Sequence, residues 1–477
     1  MKTLIFLFIC TLSLSSLAKD FYSKFSPHEG TEAFEIIYDK VKSSNKSVYA
    51  TIYSWSDKGI TDSFKEALAN GSEVKIVLHP SLAKKDSIKK VATELEQLGA
   101  HLKIAKMNMH EKFFIIDGSF LVNSSANMSN GAKSRYSENF IYHDNKSPQG
   151  KTLLTQFNKE FVILWNSAKD IFTAQEGIAP KMASSSNTNL PADTETRLYS
   201  SSMNFSIKEN KPTSSAYKSG KYISLSRIGG TSKQTWQVRD AIIGKIDNAN
   251  KNILLSLNHF NIKAISDALI RAVKRGVEVK LAVDNQEFKT NINNKEMTPQ
   301  FVADWKSLPG NSKLTPPVRV KFYSISPSPR HWLLNHHKFI IVDYDEEDFS
   351  KTTLISGSYN LSKTAEHNQF DNMVFYNGLV NSKLFKEFKL EFDNQWSWNR
   401  TEQDLPDQEV LNLFTTLKGD SSIPLHSKEA ISLSWKEVKA LRSKISKVAS
   451  GIFNGLYRKR DCLYYDFVKK SFWGCPR

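Results

Sequence analysis

The stretch MHEKFFIIDG, residues 109–118, sets His110 and Lys112 ahead of four apolar residues and closes on Asp117 and a glycine. Phe113 to Ile116 reads as a buried strand, and residues two apart on an extended backbone point the same way, so His110 and Lys112 share a face. Taken alone, His-x-Lys is a weak signal in a lysine-rich chain. The chain carries its own controls: HLK (101–103) and HSK (426–428) have that spacing but no aspartate five residues past the lysine. NHHKFIIVDY (335–344) repeats the full pattern as His336, Lys338 and Asp343.

The match extends outward from the two stretches. NSSANMS (123–129) and SGSYNLS (356–362) pair Ser125 with Ser358 and Asn127 with Asn360. Eleven residues past each asparagine stand Glu138-Asn139 and Asp371-Asn372, opening the strands NFIYH and NMVFY. Upstream, NGSEVKIVLHP (70–80) is echoed by RGVEVKLAVDN (275–285). Each is preceded by a helical pattern, ITDSFKEALA or AISDALIRAV, and before that by a strand, SVYATIYSW or NILLSLNHF, which is the order of a βαβ unit with parallel strands. Each half closes on a helix with Phe157/Phe388, Glu160/Glu391, Phe161/Phe392 and Trp165/Trp396 at equal spacing. The chain is therefore expected to be two repeated α/β halves related by a pseudo-twofold, a pseudo-dimer within a monomer, with the site at their interface.

Residues 1–18 join a lysine, a short apolar run and the small outer residues of Ser16-Leu17-Ala18, the pattern of a cleaved signal peptide. Export to the periplasm or beyond the cell is expected, with the first half at 19–182, a Ser/Thr/Asn-rich linker at 183–215, the second half at 216–402 and a basic tail at 403–477. No later segment is apolar enough to span a bilayer. Cleavage would leave Cys462 and Cys475 as the remaining cysteines, and in an oxidising compartment a disulfide closing the tail is expected. A Pro- and aromatic-rich insertion at about 286–330 is expected to overhang the site. The formal charge of +16 suits an anionic partner, nucleic acid or a phospholipid surface.

Two lysine ammoniums and two asparagine amides make a dense set of donors for the non-bridging oxygens of a phosphate. One imidazole can attack phosphorus while the other protonates the departing oxygen, and Glu138 and Asp371 can hold the rings through the second ring nitrogen. No metal or other cofactor is required by this chemistry. The competing reading binds a metal through His110, His336, Glu138 and Asp371, against which each adjacent lysine would repel a cation.

The doubled H-x-K-x4-D and Ser-x-Asn pattern resembles the phospholipase D superfamily, over nearly the whole chain past residue 18. The opening FSPHEGTEAFEIIYDKVKSSNKSVYATIYSW is similar to the start of its single-motif bacterial endonucleases and cardiolipin hydrolases. The resemblance implies a phospholipase D-like fold, a metal-free phosphohistidine mechanism, His110 as nucleophile and His336 as the acid that later activates water. It implies that Lys112, Lys338, Asn127 and Asn360 bind phosphoryl oxygens with Ser125 and Ser358 in support, while Asp117 and Asp343 stabilise structure away from the phosphate. One departure is Ser124, where Gly357 is the usual residue.

For a lipid substrate, Val438, Leu441, Ile445, Val448, Ile452 and Leu456 recur at helical spacing among lysines and arginines, a face that could lie on an anionic membrane or pack on its own domain. The endonuclease-like start and the positive charge give nucleic acid comparable support. Hydrolysis of a phospholipid headgroup is favoured for an exported enzyme, with a metal-independent endonuclease as the alternative.

Overall fold

In the computed structural model, which describes residues 21–171, 178–183, 196–230, 232–284, 287, 297–321, 334–398, 463–466 and 471–474, each half is built on one mixed sheet. The first half runs β1 (Phe21–Ser26), α1 (Gly30–Lys42), β2 (Ser47–Ile52), α2 (Lys58–Ala69), β3 (Glu73–Leu78), α3 (Asp86–Gln97) and β4 (His101–Ile104). It continues with β5 (Asn108–Met109), β6 (Phe113–Ile116), β7 (Phe120–Ser124), α4 (Asn130–Ser134), β8 (Glu138–Asp144), α5 (Pro148–Ser167) and β9 (Lys169–Asp170). The second half opens with β10 (Thr196–Ser200), β11 (Phe205–Glu209), α6 (Ser215–Lys218), β12 (Ile223–Arg227), α7 (Gln237–Asp247), β13 (Asn252–Leu257), α8 (Lys263–Lys274) and β14 (Glu278–Asp284). Then come α9 (Thr298–Lys306), β15 (Val318–Lys321), β16 (Lys338–Val342), β17 (Thr353–Gly357), α10 (Lys363–His367), β18 (Gln369–Phe370), β19 (Asn372–Asn377) and α11 (Ser382–Trp398), with a hairpin β20 (Leu463–Asp466) and β21 (Ser471–Gly474) beyond.

The sheets have orders β1-β8-β7-β6-β2-β3-β4-β9 and β10-β19-β17-β16-β13-β14-β15, the same topology strand for strand except for β9. The βαβ units pair β2 with β3 and β13 with β14 in parallel, while β6, β7 and β8 and their counterparts run antiparallel. Phe113 and Phe114, like Phe339 and Ile340, are consecutive and all buried because both faces of each sheet are covered. Phe113, Ile115, Phe339 and Ile341 face a central core that also takes Phe157 and Phe161 of α5 and Phe388 and Phe392 of α11. Phe114 and Ile116 join α1 and α2 in one outer core, Ile340 and Val342 join α7 and α8 in the other. The central core draws on both halves, so burying it is what joins them. Equivalent residues His143 and Tyr376 meet there, ring nitrogen to hydroxyl at 3.0 Å, which places the pseudo-twofold between them.

Two expectations are corrected. The segment assigned to a linker includes β10, an edge strand whose Thr196 to Ser200 pair antiparallel with β19, as β1 pairs with β8. Residues 205–227 then add the β11–β12 hairpin, which docks back on the first half through Lys103 Nζ to Gly220 O at 2.8 Å and Lys106 Nζ to Leu225 O at 2.7 Å. Likewise, part of the supposed 286–330 insertion is a regular third unit: α9 leads to β15, which pairs parallel with β14 as β4 does with β3. The signal peptide at 1–18, Cys462 and Cys475, the helical pattern at 438–456 and the stretch 322–333 lie outside the described residues. Among the described residues no helix is long and apolar enough to cross a membrane.

Candidate active site

His110 and Lys112 lie between β5 and β6, and His336 and Lys338 precede and open β16, so both pairs come off the same end of their sheets. At that end the halves grip one another. His110 N donates to Phe370 O of the second half and His336 N donates to Ser137 O of the first, each at 2.9 Å. The short parallel pairing of β5 with β18 accompanies the first contact and a Ser137–Asn335 bridge the second.

The orienting acids are crossed. Asp371 of the second half accepts from His110 Nδ1 at 2.7 Å, and Glu138 of the first half accepts from His336 Nδ1 at 2.8 Å. Both acids are fully buried, so their hydrogen bonds are made in a medium that strengthens them. Ser125 Oγ donates to Glu138 at 2.6 Å and Ser358 Oγ donates to Asp371 at 2.7 Å, so these serines help to fix the acids. Each serine also accepts a backbone N–H from the following asparagine of the acid pair, Asn139 or Asn372.

With Nδ1 engaged, Nε2 of each ring is left for chemistry. Burial is the largest influence on His110 and takes its pKa down to about 4, with Lys112 adding to the fall and Asp371 opposing it. Burial, then Lys338, Lys112 and His110, hold His336 well below the usual imidazole range. Lys112 and Lys338 are themselves pushed down, by burial first, to about 7 and about 8, with Asp371 and Glu138 pulling back. These mutual influences place both His-Lys pairs in one charged cluster. Lys112 and Lys338 donate to the carbonyls of His110 and His336, which directs the ammoniums along the strand ends. Asn127 Oδ1 and Asn360 Oδ1 are buried without a hydrogen-bond partner at equivalent places in both halves; these oxygens only accept, so any bond from these residues to a phosphate oxygen would come from Nδ2.

Asp117 and Asp343 sit at the other end of the same strands. Both adopt φ of +53°. Asp117 accepts from Ser44 Oγ and the backbone of Lys46 and Ser47, and Asp343 from the backbone of Asn250 and Lys251. They thus tie the turn after β6 or β16 to the start of β2 or β13, away from the histidines. The decoy His101 and Lys103 lie on β4, where Lys103 serves the hairpin contact instead. Among the described residues no group of three or more His, Cys, Asp or Glu side chains forms a metal-ligand set.

Several neighbours escaped the sequence reading. Tyr53 sets its ring edge-on to His110 at 4.9 Å and lies under Lys112 Nζ at 5.0 Å. Tyr136 lies 6.4 Å from the His336 ring, and Gln369, its counterpart, donates to Asp371. Tyr53 follows the C-terminal end of a parallel strand, where ligands gather in α/β sheets, and that was the available signal.

A family profile described as "Cardiolipin synthase, PLD-like domain" matches residues 37–165 and 242–396, more than half of the chain and one segment in each half. The chain belongs to this phospholipase D-like family. A phospholipase D of Rickettsia bellii (strain RML369-C) is 33% identical over 119 residues, which is 24% of this chain and 57% of that protein. The match thus spans little more than half of that relative's length. In structure, phosphatidylserine synthase of Haemophilus influenzae Rd KW20 superposes with a TM-score of 0.53 at 12% identity, over 84% of this chain and 94% of the other, a likeness of fold. Nuc from Salmonella typhimurium aligns with 31% of this chain and 96% of its own at 21% identity and a TM-score of 0.28.

Proposed function

We propose that the protein is an exported phosphodiesterase of phospholipase D type that hydrolyses phospholipid headgroups through a phosphohistidine on His110. The observation that carries this reading is the crossed pairing: each histidine is held by the other half's acid, which presents two Nε2 atoms with two ammoniums and two carboxamides at one seam. Neutral at ordinary pH, His110 has the Nε2 lone pair needed to attack phosphorus. Lys112, Lys338, Asn127 and Asn360 bind the non-bridging oxygens. The bound diester brings a negative charge that offsets the two lysines, so His336 can hold a proton on Nε2 between Glu138 and the leaving oxygen. His336 gives up that proton as the P–O bond breaks, takes one from water, and the resulting hydroxide displaces His110 from phosphorus. The named activity of the Rickettsia relative and the lipid-synthase description of the family profile favour a lipid over nucleic acid. The charge of +16 fits an anionic surface, and residues 1–18 support export.

The test gives the purified mature chain, in chelator, phosphatidylcholine or cardiolipin vesicles and, separately, single- and double-stranded nucleic acid. Headgroup release supports the proposal. Cleavage of nucleic acid alone moves the substrate to the endonuclease alternative, and turnover of neither overturns the phosphodiesterase.

A further inference from the structure

Extended backbone turns His110 and Lys112 toward the site and Glu111 away from it. Glu111 is 0% exposed, and its carboxyl meets that of Glu160 on α5, 4% exposed. Glu160 Oε2 accepts from Ser200 Oγ at 2.8 Å and Ser202 Oγ at 2.5 Å, while its Oε1 and both oxygens of Glu111 are buried without a well-placed donor, the Asn372 carboxamide approaching Glu111 and opposing the rise of its pKa. Asn372 is the neighbouring amide, and Lys112 and Asp371 are the charged groups facing the pair from the site. Two buried carboxylates cannot both stay ionised in contact, because repulsion and desolvation act together. Burial and then Glu160 push the Glu111 carboxyl well above the ordinary carboxylate range.

The equivalent place in the other half is built differently. His337 stands where Glu111 does, with Nε2 2.9 Å from Glu391 Oε1 and Nδ1 3.3 Å from Asn139 Oδ1. Phe25, the counterpart of Ser200, packs on that imidazole at 6.2 Å. One half thus closes this buried position with a base and an acid, the other with two acids and two hydroxyls.

We propose that Glu111 and Glu160 share one proton, Glu111 donating to Glu160, and act as a positioning pair that holds the His110–Lys112 segment. The pair then carries one negative charge, and loss of the shared proton would force the carboxyls apart and move the segment that presents the nucleophile. The positioning role rests on the phosphodiesterase reading above; the shared proton does not.

Infrared difference spectra of the full chain at neutral pH, wild type minus Glu111→Gln, should contain a protonated-carboxyl stretch that shifts in heavy water. Its absence overturns the pair whatever the activity. In kinetics, Glu111→Gln, whose carboxamide can donate as the protonated acid does, should stay close to wild type. Glu111→Ala should lose roughly 10- to 100-fold in kcat, with KM little changed, through misplacement of the nucleophile. Glu111→His, which copies the other half, should recover part of that loss. A Glu111→Ala enzyme with wild-type kcat overturns the positioning role, and if that variant does not fold, a Glu111→Gln enzyme as impaired as Glu160→Ala overturns it instead. A wild type that shows the band but cleaves no phosphodiester overturns the functional reading and leaves the pair standing.

Discussion

His110 and His336 occupy equivalent points of a duplicated fold, yet their surroundings differ in kind. Around His110 are Tyr53, Gln369 beside an aspartate, and the Glu111–Glu160 contact. Around His336 are Tyr136, a glutamate that accepts from Ser125, and the His337–Glu391 contact. The backbone, the crossed acids and the lysines are kept symmetric while the next layer is not. Symmetry suffices for gripping a phosphate between two halves, whereas attack and protonation are different tasks and need different environments.

The largest expected effect separates the two histidines. Replacing either His110 or His336 with alanine should lower turnover of an ordinary diester by about three or more orders of magnitude, since members of a catalytic unit act together. A nitrophenyl diester, whose leaving group needs no proton, should let His336→Ala form phosphohistidine and then stall, because general-acid help is worth roughly 100- to 10,000-fold. Alkaline denaturing quench, which spares the acid-labile P–N bond, and peptide mapping should find the phosphate on His110. Label on His336 would exchange the roles.

The crossed acids sharpen the comparison further. Asp371→Asn should behave as a defect of His110, slowing phosphohistidine formation even with the nitrophenyl diester, although Asp371 belongs to the other half. Glu138→Gln should behave as a defect of His336 and be relieved by that substrate. Losses of roughly 100- to 10,000-fold are expected with ordinary diesters, as when an orienting carboxylate leaves the wrong tautomer in place. Pre-steady-state bursts would decide, and the opposite assignment would show that each acid serves its own half.

A smaller effect tests the lysines. Sulfate keeps its charge across neutral pH, so its inhibition should report Lys112 and Lys338, whose protons are lost from the free site near about 7 and about 8. The bound anion favours the protonated lysines, so binding is strongest below those values. It should weaken by about tenfold per pH unit for each lysine that must regain a proton, as pH rises past them. Inhibition constants flat from pH 6 to 9 would show either that neither lysine binds the anion or that both keep their protons across that range.

The smallest effects compare Ser124 with Gly357. A Cβ on Gly357 would lie 2.2 Å from Asn372 O, beside the acid that serves His110. Ser124 fits its place, its hydroxyl near the carbonyls of Lys112 and Ala126 at 3.3 Å. Gly357→Ser should cost about 1–3 kcal/mol by overpacking, and Ser124→Gly about 1 kcal/mol or less. Thermal or denaturant unfolding of the two variants would measure the difference.

The residues at the seam differ in how far the chain betrays them. His110, Lys112, Asn127 and their counterparts stand out because their spacing recurs, and spacing within one strand-turn-strand unit is a local property. Glu138 and Asp371 are visible as acids, but their partners are not, since the His110–Asp371 bond joins positions 261 residues apart. β10 hides in a Ser- and Thr-rich stretch because an edge strand needs only Thr196, Leu198 and Ser200 inward, and that short alternation carries little apolar weight. In α9, TPQFVADWK looks like loop because of its proline, which in fact occupies the first helical turn where its missing N–H is harmless.

From the order of residues alone follow the duplication, the βαβ units, the paired strand faces and the doubled His-Lys-Asn set, because periodicity and spacing are written along a single chain segment. The docking of one half against the other decided which acid holds which histidine and where Ser200 and Ser202 reach Glu160, while packing within each half set Glu111 against Glu160 and His337 against Glu391. These contacts join segments distant in sequence across a shared core. Their choice is made by the fit and burial of that core, which no local pattern encodes.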